Sequence, residues 1–380
     1  MIYLDHHATT PVDPAVLQEM LPWFTENPGN PHSRHHEFGW RAEAAVALAR
    51  KQIADLIGAD DQDIIFTSGA TEANNWVIKG IVSALPADKR RILTLTTEHP
   101  CVMQSVAALA RMGWPVGYVS VDSNGWPDRE KLEGELAKGD VGLLSIMLAN
   151  NEIGVIQPVA ELARLAHAHG ALFHTDAAQA VGRISVDVGA LDVDFMSFTA
   201  HKFCGPKGIG ALYLRAECRQ ALAPLIHGGG QEDGLRSGTL PTPLIVGFGA
   251  AAELAGRDLR DEMRRVMRLR SRLMTGLQQL GGITLNGAEG PRLPGNLNIC
   301  IDGVLADDLI REVPEVAVST GSACSSVSTA PSHVLTGINL SQDQVASSIR
   351  IGIGRSTTAQ EIEDALTALS GGIERLRAKG

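Results

Sequence analysis

The order of apolar and amphipathic stretches constrains this chain more than any other feature. Residues 64–67, 92–95, 141–147, 171–173, 195–198 and 211–214 are apolar runs of strand length. Helical patterns separate several of them. The clearest covers residues 158–169, with Pro158 in its first turn and Gly170 just past its end. This alternation predicts a mostly parallel β-sheet covered by helices. From about residue 257 to residue 280 the pattern becomes a long, charged amphipathic helix that links two domains. Shorter strands at 298–301 and 348–353 come next, then a last helix opened by the capping-box pair Thr358 and Glu361. The expectation is an α/β fold: a large domain over residues 13–257 and a smaller α+β domain from 1–12 and 258–380.

Composition removes some functions. The chain has 380 residues and a formal net charge of −10, which argues against general binding to nucleic acid or an anionic membrane. No uninterrupted apolar stretch approaches the roughly 20 residues of a membrane span. The N-terminus carries no basic segment followed by a long apolar core, so no secretory signal is read. The cysteines at 101, 204, 218, 300 and 324 are scattered and form no Cys-x-x-Cys pair. That pattern suits the cytoplasm, without disulfides or a zinc ribbon.

In open α/β sheets, ligands bind outside the carboxyl ends of the strands. The residues just beyond each apolar run are therefore the ones to inspect for chemistry. The first run leads into Ser68-Gly69-Ala70-Thr71, small residues opening a helix, as a phosphate cradle requires. The second leads into Glu98-His99, the third into Asn150-Asn151-Glu152, the fourth into Asp176-Ala177-Ala178-Gln179 and the fifth into Thr199-Ala200-His201-Lys202. A lysine at such a position is unusual, because lysine is almost never buried unpaired. It suits an imine with a carbonyl cofactor. A pyridine-based cofactor with a phosphate would need that lysine, a carboxylate for its ring nitrogen, and phosphate donors. Lys202, Asp176, and the Ala70-Thr71 turn with Thr199 and His201 supply them. His99 is placed to stack on the ring and move protons. Lys207, five residues on, reads as a solvated turn residue.

Near the other end lies Gly321-Ser322-Ala323-Cys324-Ser325-Ser326, a run of small residues around one thiol. It is too polar for a core strand and reads as a mobile loop carrying a reactive cysteine. Arg350, in a predicted strand, is the best partner for a substrate carboxylate; Arg355 and Arg236 are weaker candidates. His32, His35 and His36 are clustered, yet no further ligands accompany them, and no zinc site is read.

These segments, together with Tyr3-Leu4-Asp5, Ala8-Thr9-Thr10, Gly205-Pro206-Lys207-Gly208 and Arg236-Ser237-Gly238-Thr239, resemble the cysteine desulfurases. These are pyridoxal-phosphate enzymes of the class V aminotransferase group, and the longer Cys324 loop is similar to the nitrogen-fixation and iron–sulfur-cluster type. The resemblance runs in order from residue 3 to about residue 358. It implies a fold-type I architecture and a homodimer. It implies that Lys202 anchors pyridoxal 5'-phosphate and shuttles the α-proton. Cys324 would take sulfur from L-cysteine as a persulfide, leave L-alanine, and pass the sulfur to an acceptor or iron–sulfur scaffold protein. Ala70, Thr71, His99, Asn151, Asp176, Gln179, Thr199, His201 and Thr239 would bind the cofactor, Thr239 from the neighbouring subunit. Asn151 and Arg350 would hold the substrate. No metal site is assigned, although Cys324 is a candidate transient iron–sulfur ligand. A related aminotransferase or a selenocysteine lyase is the alternative. Thr199 stands where the family usually has serine, and the chain ends sooner than the housekeeping members, whose tails contact the scaffold.

Overall fold

A computed structural model describes residues 1–320 and 331–379. The main sheet is built from β1 (Ile64–Thr67), β2 (Arg91–Leu95), β3 (Val116–Val119), β4 (Val141–Ser145), β5 (Leu172–Asp176), β6 (Phe195–Thr199) and β7 (Gly210–Leu214). In space they run β1-β7-β6-β5-β4-β2-β3. Every neighbouring pair is parallel except those made by β7, which lies antiparallel to both β1 and β6. All the residues of β1, β2, β4, β6 and β7 are buried, as expected for strands covered on both faces. The chain order reverses beside β2, so a crevice opens at the carboxyl ends there.

The predicted strands all form, and β3 is one the sequence reading missed. Gly117 and Tyr118 dilute its apolar run, and its burial is only partial because it is the edge strand. The fourth apolar run extends further than its apolar residues suggest. Asp176 closes β5 instead of coming after it, because His174 and Asp176 pair with Phe195 and Ser197 of β6. Pro158 caps its helix, which runs Val159–Ala168.

Helices α1 (Glu37–Ile57), α2 (Ala70–Gly80) and α3 (Pro100–Arg111) pack beside the sheet. The long helix α4 spans Thr242–Gln278, beginning some fifteen residues earlier than its charged stretch. Its first turns are apolar, with Ile245 and Phe248 fully buried in the main core. Its later turns place Val266, Leu273 and Leu277 in a second apolar cluster. That cluster covers an antiparallel sheet of β8 (Ile283–Leu285), β9 (Asn296–Ile301), β10 (Ser319–Thr320) and β11 (Ser348–Gly352), ordered β10-β11-β9-β8. Helix α5 (Ala359–Lys379) packs on it through Ile362, Leu369 and Ile373. Thr358 and Glu361 form the reciprocal bonds of a capping box at its start.

The N-terminus joins the two layers. Ile2–Tyr3 pairs in parallel with Val316–Ala317, and Asp5 bridges to Gly352. The chain then crosses to the main sheet, where Thr10 binds the carbonyl of His201 through both its amide and its hydroxyl. Among the described residues no helix is long and apolar enough to cross a membrane.

Candidate active site

The carboxyl ends of β1, β2, β4, β5 and β6 converge on one cavity of about 520 Å³. Ala70, Thr71, His99, Asn151, Asp176, Gln179, Thr199, His201 and Lys202 all line it. Lys207 lines it too. It is exposed, as a solvated turn residue is expected to be, and it borders the cavity as well.

Lys202 ends the short turn Ala200–Lys202 just after β6. Its Nζ donates to the carbonyls of His7 and Ala8, each at 2.7 Å. At the far wall, Asp176 accepts from the amide of Ala178 at 2.9 Å and from Asn74 Nδ2 at 2.7 Å. Asn74 is completely buried on α2, and its Nδ2 also lies 3.1 Å from Cys101 Sγ. The donors fix the carboxylate's orientation, with its remaining lone pairs available to a ring N–H.

His99 caps α3 with its side chain. The amide of Cys101 donates to His99 Nδ1 at 3.2 Å, and Cys101 Sγ lies 3.0 Å from the same atom. An accepting Nδ1 leaves the neutral ring's proton on Nε2. Burial lowers the His99 pKa; Asp176 opposes the shift, while Lys202 and His333 add to it. His201 is pulled down to about 4 by burial, with Lys202 and Lys207 adding to the effect, and its Nδ1 meets Thr9 Oγ1 at 3.0 Å. It is a neutral hydrogen-bonding group at physiological pH.

The phosphate end is the start of α2. Gly69 precedes it with φ of 154°, and no side chain caps the helix, so the first N–H groups point into the cavity region unclaimed by a side-chain acceptor. The crowding is tight: a Cβ on Gly210 of β7 would lie 2.7 Å from Gly69 Cα. Glu72 reaches back to the amide of Ser68 at 2.8 Å and is neutralised by Arg236 at 2.8 Å. Arg236 is thereby committed to this ion pair and not to a substrate. Thr199 donates to the carbonyl of Ile209 at 3.0 Å. A lysine, an oriented carboxylate and an uncapped helix start, set around a cavity of this size, match the three ends of a phosphorylated pyridine aldehyde.

Several predicted residues lie off the cavity wall. Arg350 is 1% exposed and sits behind Asn151, donating to its carbonyl at 3.1 Å and to Asp5 Oδ1 at 2.9 Å. Among the described residues its buried Nε has no hydrogen-bond partner. Thr239 is exposed and does not line the cavity. Arg355 is held by Asp258 and Glu262. Cys324, with its loop, lies outside the described residues. Among the described residues no group of three or more His, Cys, Asp or Glu side chains could hold a metal ion.

The sequence reading missed a supporting layer. Glu98 is fully buried; its Oε1 accepts from the amide of Met147 at 2.9 Å, and its Oε2 has no partner among the described residues. Burial, the Met147 bond opposing it, and the nearby Asp176 leave its pKa well above the usual range. Glu152 is pushed up to about 7 by burial, partly offset by Ser332 Oγ, which donates to it at 2.5 Å. Both acids stand just beyond strand ends, so their positions were visible; their burial was not.

The chain's relatives agree with this geometry. The aminotransferase class-V family profile matches residues 2–365. A protein named cysteine desulfurase IscS from Rickettsia rickettsii (strain Iowa) is 46% identical over 378 residues, covering 99% of this chain and 92% of the relative. Among solved structures, a NifS-like protein superposes with a TM-score of 0.91 at 36% identity, covering 98% of this chain and 99% of that one. SspA in complex with cysteine gives a TM-score of 0.83 at 35% identity, covering 94% and 100%. On the extent of these matches, this fold-type I chain belongs to the aminotransferase class-V family of pyridoxal-phosphate-dependent enzymes.

Proposed function

We propose that the chain is a cysteine desulfurase, converting L-cysteine to L-alanine and placing the sulfur on Cys324 as a persulfide. The observation that carries the reading is the single cavity in which Lys202, the Asn74-supported Asp176 and the uncapped start of α2 face one another. The names of relatives, cysteine desulfurase and a cysteine-bound protein, support L-cysteine as the substrate. When bound, pyridoxal phosphate supplies an electron sink for the substrate's α-carbon. Lys202 anchors that group, and its amine carries the α-proton once released. Asp176 holds the ring nitrogen, and the N–H groups of Ala70 and Thr71, with Thr199 and His201, hold the phosphate. His99, on the cavity wall, would pack against the ring and offer the hydrogen on Nε2. Asn151 and Gln179 orient the ring, and Thr239 reaches the phosphate of the neighbouring subunit in a homodimer.

Arg350 and Asn151 bind the substrate carboxylate. Arg350 has an Nε without a partner among the described residues to offer, and its contact with the Asn151 carbonyl ties the two together. Cys324, as thiolate, attacks the substrate sulfur; the carbon–sulfur bond breaks, and the thiol becomes a persulfide as alanine leaves. The persulfide sulfur passes to an acceptor or iron–sulfur scaffold in the cytoplasm, with Cys324 as a candidate transient cluster ligand. Residues 13–257 form the cofactor-binding domain, and 1–12 with 258–380 form the small domain that carries Cys324. Borohydride reduction should fix the cofactor to Lys202. Cys324→Ala should keep the cofactor's colour and lose sulfur release from L-cysteine. Full turnover by that variant would refute the persulfide route and favour a selenocysteine lyase or aminotransferase.

A further inference from the structure

Two acceptors of Lys202 come from a segment more than 190 positions away in sequence. One guanidinium ties that segment to the lysine. Arg183 donates through Nε and Nη2 to the carbonyl of Lys202 itself, at 2.9 and 2.8 Å. Its Nη2 also donates to the carbonyl of His6. Its Nη1 donates to His7 Nδ1 at 2.7 Å and to Gln179 Oε1 at 3.1 Å. Gln179 Nε2 in turn donates to the carbonyl of His7 at 2.9 Å. Arg183 thus binds the lysine's own backbone and the strand of chain that offers the lysine two acceptors.

Two carbonyls at 2.7 Å are well matched to an ammonium, which has three N–H donors and no acceptor. They are poorly matched to a nitrogen covalently tied to a cofactor carbon, which has lost most of those donors. We propose that the carbonyls of His7 and Ala8 are the receiving site for the Lys202 ammonium after it lets go of the cofactor, and that Arg183 is the positioning residue that builds this site. The inference rests on Lys202 being the cofactor lysine. The site keeps the released amine within reach of the cavity, so its return is a short rotation and not a search. It also favours the charged form, since hydrogen bonds to the ammonium stabilise it. Burial lowers Arg183 itself only to about 10, so the guanidinium stays charged at neutral pH.

Acetic anhydride, which reacts only with neutral amines, tests this on the cofactor-loaded protein. Saturating L-alanine releases Lys202, and peptide mass spectrometry reads its acetylation against exposed Lys131 in the same sample. Arg183→Lys keeps the charge but loses the fork, and circular dichroism reports its folding. Losing one or two hydrogen bonds that hold the segment predicts acetylation of released Lys202 about threefold to tenfold faster than in the wild type. Gln179→Ala, which removes the Gln179 donor to the His7 carbonyl, should move labelling in the same direction at cofactor occupancy matched to the wild type by absorbance, and keeps the test alive if Arg183→Lys does not fold. Wild-type rates in the folded variants would overturn the receiving site. If Lys202 in the wild type is acetylated equally with and without L-alanine, the cofactor-lysine reading fails, and the receiving site fails with it.

Discussion

Asn74 is the perturbation that most directly tests how the site holds its cofactor. It is fully buried on α2, and its Nδ2 donates to Asp176 Oδ2 at 2.7 Å. The carboxylate's other described donor is the Ala178 amide, so Asn74→Ala removes half of its described hydrogen-bond support. A hydrogen bond to a charged group contributes about 1.5–3 kcal/mol. If that support is transmitted to the ring contact, cofactor affinity falls by roughly 10-fold to 150-fold. The assay is equilibrium dialysis of the variant against pyridoxal phosphate, read by absorbance, with circular dichroism to confirm folding. A double-mutant cycle isolates the route: in an Asp176→Asn background the Asn74→Ala effect should nearly vanish, because the charged acceptor is already gone. If Asn74→Ala binds cofactor as tightly as the wild type, or if its effect is undiminished in the Asp176→Asn background, the inference that Asn74 acts through Asp176 is wrong.

The buried acids give pH signatures of defined sign. For a carboxyl whose folded pKa is raised, the folded state binds more protons than the unfolded state, so stability is full below about pH 4.5 and falls as pH rises. Glu98 has such a pKa, held well above its usual range. Glu98→Gln should therefore match the wild type in acid and gain on it steadily at higher pH, as measured by urea denaturation. A constant difference across pH would show that the Glu98 pKa does not change on folding, and a variant that falls behind the wild type at higher pH would show that Glu98 is paired and charged. Glu152, at about 7, gives up its stability between pH 4.5 and about 7. Glu152→Gln should recover up to about 3 kcal/mol by pH 8, less whatever the Ser332 bond loses. An unchanged pH profile in the variant would put the titration elsewhere.

The fold was legible because parallel strands buried on both faces read as continuous apolar runs, and these interrupt helical patterns at regular intervals. Legibility failed where that logic weakens. The edge strand Val116–Val119 is half-exposed and diluted by Gly117. The start of α4 is apolar all round because it lies in the core, so its amphipathic signal begins only near Arg257. The site divides in the same way. Residues at strand ends announce themselves, because a polar cluster after an apolar run has few other reasons to exist, and Lys202, Asp176, His99 and Asn151 all meet in one cavity.

Residues that act from behind that first layer leave no local trace. Asn74 is one polar residue in a helix that also buries Trp76 and Val77, and Arg183 looks like any arginine before a loop. Their roles depend on contacts more than 100 positions away: 102 from Asn74 to Asp176, and 176 from Arg183 to His7. Arg350 shows the opposite failure. Its place in a strand was read correctly, yet the Asp5 carboxylate and the Asn151 carbonyl draw its guanidinium behind the cavity wall. A charged side chain in a buried strand takes whichever partners the tertiary fold supplies, because an unpaired buried charge costs more than the detour. To meet a substrate carboxylate, Arg350 must offer its spare Nε past Asn151 or exchange its bond to Asp5 for one to the ligand. On the proposal that Arg350 takes the substrate carboxylate, substrate affinity is a competition between two carboxylates for one guanidinium, with Asp5 already seated.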